Sequence, residues 1–110
     1  MLKPALLTVS LMALVGCESA TQAVDDVARR SAKAAVAETL TTQFPSVPNK
    51  VVTPFSDCII DNSNTSEIAK FAKAAVVGVD ETTVTLVRTI LSRPETTQCV
   101  TKAGVAALAG

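Results

Sequence analysis

The chain contains no histidine, tryptophan or tyrosine, and three phenylalanines are its only aromatic residues. Without histidine there is no Ser-His-Asp or Cys-His nucleophilic centre and no imidazole to complete a zinc site. Without tryptophan or tyrosine there are no broad aromatic platforms for sugars. Charge of one sign is missing too, since ten basic residues balance ten acidic ones, which leaves no electrostatic footprint for nucleic acid. The three cysteines contain no CxxC pair, so a redox motif or a thiolate zinc site is not indicated. Carboxylates, hydroxyls, lysines and arginines remain. The composition points to no enzyme, no metal and no cofactor.

A long hydrophobic run is also lacking, but a short one is present. After Met1-Leu2-Lys3 the stretch from Ala5 to Val15, ALLTVSLMALV, carries no charge. A membrane-spanning helix needs about 20 apolar residues, whereas an export signal needs an apolar core of roughly 7–15. Ordinary cleavage after Ala20 would place Glu18 at position −3, where a small residue is wanted. Leu14-Val15-Gly16-Cys17 suits a different processing route. It resembles the lipobox of bacterial lipoproteins: an aliphatic residue, a small or aliphatic one, Gly or Ala, then Cys.

That resemblance implies a cleaved signal peptide over residues 1–16 and diacylglyceryl modification of Cys17. Several acyl chains, at about 0.8 kcal/mol per buried methylene, would hold the protein on a bilayer. It further implies a palmitate-type anchor facing the periplasm, with Glu18 rather than Asp after the cysteine favouring the outer over the inner membrane. The competing reading, Cys17 as a small apolar residue in a buried helix, leaves the preceding charge pattern and the four-residue match without a reason.

Removing sixteen residues from 110 leaves ninety-four, with nine basic and ten acidic side chains. A chain of that size buries only about 60–65% of its unfolded surface and benefits from a covalent staple. Cys58 and Cys99 are the cysteines left once Cys17 is acylated, and an oxidising compartment predicts a disulfide between them.

The pattern of the remaining chain predicts an all-α fold. Residues 17–22 read as a lipidated tether, and residues 23–50 as an Ala-rich helix and linker. The helix is expected from Ala23 to Thr41, with Val24, Val27, Ala28, Ser31, Ala35 and Leu40 on its apolar side, either as a tether or packed on the domain. Asp25–Arg29 and Asp26–Arg30 have i,i+4 spacing. Pro45 and Pro48 interrupt the helix and suggest an extended linker. Residues 51–110 then read as a disulfide-linked bundle of about four short helices. Thr53-Pro54 suggests the first start; Asn64-Thr65-Ser66-Glu67, a capping box, suggests the next. That helix would carry Ile68, Phe71, Ala72, Ala75 and Val76, and Gly78 is its expected stop. Residues 82–91 fit a helix after Asp80, although Thr83-Val84-Thr85-Leu86 alternates as a strand would. Pro94 opens the last helix.

Few clusters suggest chemistry. Asp57 and Asp61 lie four apart and could share a cation, but the Gly and closing Glu of a calcium loop are missing; an exposed polar face explains them better. Ser66 and Lys70 have dyad spacing without the S-x-x-K pattern, beside Glu67 and solvent that keep the lysine protonated. The expected function is therefore a non-catalytic module in the cell envelope. It would be membrane-bound through acylated Cys17 and would contact an envelope protein or peptidoglycan, in the manner of an inhibitor or accessory subunit. The alternative is a carrier or sensor of a small apolar ligand, with Phe55, Ile59, Ile68, Phe71, Val87 and Leu91 either lining a site between the helices or filling the core.

Overall fold

The computed structural model describes residues 25–109. The expected signal peptide, the tether and Cys17, together with the first residues of the N-terminal helix, lie outside them. Among the described residues there are five helices and no strand: α1 over residues 25–43, α2 Asn49–Asp61, α3 Thr65–Val77, α4 Glu81–Leu91 and α5 Pro94–Ala109.

Helix α1 packs on the domain. Ala32, Ala35, Val36 and Leu40 are buried in the same core as Ile59, Ile60, Phe71, Val87 and Ile90. Ala35 and Leu40 are buried as expected, whereas Ser31 is half-buried, Val27 is 61% exposed, and Ala32, Val36 and Thr39 complete the buried face. Thr39, also buried, keeps its hydroxyl satisfied by donating to the Ala35 carbonyl at 2.8 Å.

The boundary expected near residue 50 therefore falls inside one shared core. Residues 44–48 form a short turn, where the Val47 N–H donates to the Phe44 carbonyl at 3.0 Å. Phe44 packs against the core, with the Arg88 guanidinium 5.7 Å from its ring centroid.

Helix α2 begins at Asn49, four residues before the expected Thr53 start, with Pro48 as its extended N-cap and Pro54 inside the helix. The two prolines competed for the N-terminal position. Starting at Pro48 puts Val51, 1% exposed, into the helix's buried face. Its cost is the Lys50 carbonyl, which loses the N–H that a non-proline at 54 would supply. Lys50 is exposed, so water can reach that end of the helix.

The other ends follow their local chemistry. Asn64 and Glu67 form a reciprocal capping box on α3, and Gly78, at φ +106°, ends that helix in a conformation that L side chains rarely adopt. The inward face of α3 is Glu67, Phe71 and Ala74; Val76, placed on it by periodicity, is 85% exposed. Asp80 caps α4 with a second box through Thr83. This cap turns the ambiguous stretch into a helix, so its β-branched residues lie on helical faces: Val87, Ile90 and Thr83 inward, Thr85 and Thr89 outward.

Cys58 of α2 and Cys99 of α5 form the expected disulfide, with Cα atoms 5.6 Å apart and a sequence separation of 41. A closed loop of that length corresponds to about 4 kcal/mol in the chain-entropy treatment. The bridge matters because α5 contributes only Thr96 as a buried residue. Farther along the same helix pair, Gly104 faces Phe55, and a Cβ there would meet the ring at 3.5 Å, an ordinary van der Waals contact.

Candidate functional site

The most organised polar cluster lies where the α2–α3 and α4–α5 turns meet. Glu67 reaches it from the first turn of α3, and Arg93 comes from the turn just before Pro94. The Arg93 guanidinium donates to both carboxylate oxygens of Glu67, at 2.9 and 2.6 Å, and to the Asn62 carbonyl at 2.7 Å. The Asn64 N–H donates to Glu67 Oε1 at 2.9 Å. Glu67 is 8% exposed. The Arg93 hydrogen bond, joined by the Asn64 N–H, holds its carboxyl below the ordinary value of 4.5, against the opposing effect of burial. The same contact raises Arg93 above its ordinary value. One charge pair thus ties together two turns separated by 26 residues. Its chemistry is that of a clasp, because every oxygen of the carboxylate is already occupied by protein donors.

The two aspartates of α2 are used in a similar way. Asp57 pairs with Lys33 at 3.0 Å and Asp61 with Arg29 at 3.6 Å, all four side chains being between 40% and 62% exposed. These contacts align α1 antiparallel to α2. Exposed pairs of this kind are worth about 0–1 kcal/mol each. Arg29, expected to pair within its own helix, reaches across to α2 instead. Among the described residues no group of three or more Cys, Asp or Glu side chains is placed to hold a metal ion.

The six apolar candidates belong to the core or pack on it. Ile59, Phe71 and Val87 are fully buried, while Phe55, Ile68 and Leu91 are partly buried against them. Ser66 and Lys70 are both exposed. No helix among the described residues is long and apolar enough to cross a membrane.

Beside α3 and α4 the structure opens a groove of about 520 Å³, bordered by Lys70, Lys73, Ala74, Val77, Thr85 and Leu86, with Phe71 below. Periodicity did not reveal it. Lys70, Lys73 and Val77 occupy one flank of α3, next to the buried stripe, and that flank reads in sequence as ordinary solvated surface. Asp80, three residues past the C-terminal end of α3, also borders the groove. The Thr82 hydroxyl, and then the Thr83 N–H, hold its carboxyl below the ordinary range.

The chain matches no known protein family, no curated protein and no solved structure.

Proposed function

We propose that the protein is a bacterial lipoprotein, anchored through acylated Cys17 and facing the periplasm. Its helical domain serves as a non-catalytic interaction or structural module of the cell envelope. The observation that carries this reading is Leu14-Val15-Gly16-Cys17 at the border between an uncharged apolar run and a charged chain. A Cys58–Cys99 disulfide suits the oxidising compartment that such a signal leads to. The domain also suits suspension from one end. Arg29, near the start of the described part of α1, pairs with Asp61 at the end of α2, which puts that end of α1 on the same side of the domain as the Glu67–Arg93 clasp, next to Asn62.

The partner in this reading is another envelope protein or peptidoglycan, and Glu18 after the cysteine favours the outer membrane. Two measurements test the reading. Metabolic labelling with an alkyne-bearing palmitate should mark the wild-type chain, and Cys17→Ser should abolish the label. Crosslinking in living cells should then return the same envelope component in repeated experiments. Labelling that persists in Cys17→Ser would refute the anchor, and a chain with no reproducible crosslinked partner would refute the interaction role.

A further inference from the structure

The α3–α4 groove combines carbon walls with cations on one rim. Phe71, Ala74, Leu86 and Val77 line it; Phe71 and Ala74 are buried, Leu86 is half-buried and Val77 is 70% exposed. The α4 wall is rich in threonine, yet three of its hydroxyls are already committed. Those of Thr82 and Thr83 donate to Asp80 at 2.5 and 3.3 Å, and that of Thr89 donates to the Thr85 carbonyl at 3.0 Å. What these residues offer a visitor is largely their methyl groups. Lys70 and Lys73, both exposed, stand one helical turn apart on the opposite wall. Neither takes part in the ion pairs of the described residues, which join Arg29–Asp61, Lys33–Asp57 and Arg93–Glu67.

We infer that this groove binds a single-chain amphiphile with a carboxylate head, such as a medium-chain fatty acid. The tail lies along Ala74, Val77 and Leu86, and the head meets Lys70 and Lys73. The direction follows from the two ends of the groove. Asp80, spent as the cap of α4, presents negative charge at the far end and repels a carboxylate there. From Lys70 to Val77 seven residues of helix span about 10 Å at 1.5 Å each, a length suited to a medium chain rather than a long one. The volume lies within the roughly 300–1,000 Å³ usual for small-molecule sites. This inference does not depend on the anchor at Cys17.

The test uses the purified full chain, in nanodiscs of neutral lipid if it carries acyl groups and in buffer if it does not. The probe is a decanoic acid bearing a diazirine in its tail, with the matching decylamine as the charge control. Expected is crosslinking confined to peptides spanning residues 70–77 and 82–89, competed by unlabelled decanoate and not shared by the amine. Lys70→Ala combined with Lys73→Ala should weaken competition by about tenfold, two exposed ion pairs being worth up to roughly 1.4 kcal/mol together. Val77→Asp, at a position that tolerates polarity because it is exposed, should abolish the labelling while circular dichroism stays unchanged. Labelling that is scattered, not competed, equal for the amine or indifferent to these substitutions would overturn the site.

Discussion

Glu67→Gln probes the clasp without changing its shape. Glutamine can still accept from the Asn64 N–H and from one Arg93 N–H, but both hydrogen bonds from Arg93 lose their ionic partner. Charge-assisted bonds contribute about 1.5–3 kcal/mol net, against about 1 for neutral ones. Two such bonds, discounted for the solvent that reaches Arg93, give an expected loss of about 1–2 kcal/mol at neutral pH. The pH dependence has a definite sign. In the folded state Glu67 is held below its ordinary 4.5, so its contribution is complete above that value and disappears as pH falls through the folded one. The glutamine variant has no such group to titrate. Urea unfolding of the oxidised chain, repeated from neutral to acid pH, should therefore show two curves that converge in acid. A variant as stable as wild type at neutral pH, or a gap that persists undiminished in acid, would refute the reasoning.

Three further substitutions test other parts of the structure. Cys58→Ser with Cys99→Ser should remove about 4 kcal/mol, measured by thermal unfolding with and without reductant; a melting point insensitive to reductant would contradict the role given to the bridge. Gly78→Ala should cost about 1–3 kcal/mol despite open space around it, because φ +106° strains any side chain; a neutral result in denaturant unfolding would show that the turn relaxes freely. Thr96 is fully buried with its hydroxyl unpaired among the described residues, so Thr96→Val should be neutral or stabilising by up to about 1 kcal/mol, and a clear loss of stability would reveal a partner for that hydroxyl.

Local signals were the legible part of the fold. The Asn64–Glu67 box, Gly78, Asp80 and Pro94 each act within a few residues, and each marks a helix end in the structure. The disulfide was legible because two cysteines remained once one had been assigned to the membrane. Choices between rival local signals were harder to read. Pro48 and Pro54 both suit a helix start, and burial of Val51 decided between them. On α1 the periodicity placed Ala35 and Leu40 inward, where they lie, but it missed Ala32, Val36 and Thr39 and put the exposed Val27 on the same face, because in so alanine-rich a helix the neighbours decide which side is covered.

Long-range polar pairs left no trace in the sequence. Nothing near Arg93 signals that it will meet Glu67, and nothing near Arg29 favours Asp61 over the closer Asp25. The groove was hidden for a related reason: its lysines look like solvated surface until α4 is placed beside α3. The six apolar residues considered as a ligand site lie in the core or pack against it, as expected where so small a domain has few large side chains to fill it.

The anchor is the central claim, and intact-mass spectrometry of the protein purified from bacterial membranes tests it most directly. Measured before and after reduction and alkylation, the mass should correspond to a chain beginning at Cys17, bearing acyl groups and containing one disulfide. An unacylated chain recovered in the soluble fraction, or one still retaining residues 1–16, would contradict the account and return Cys17 to the pool of free thiols.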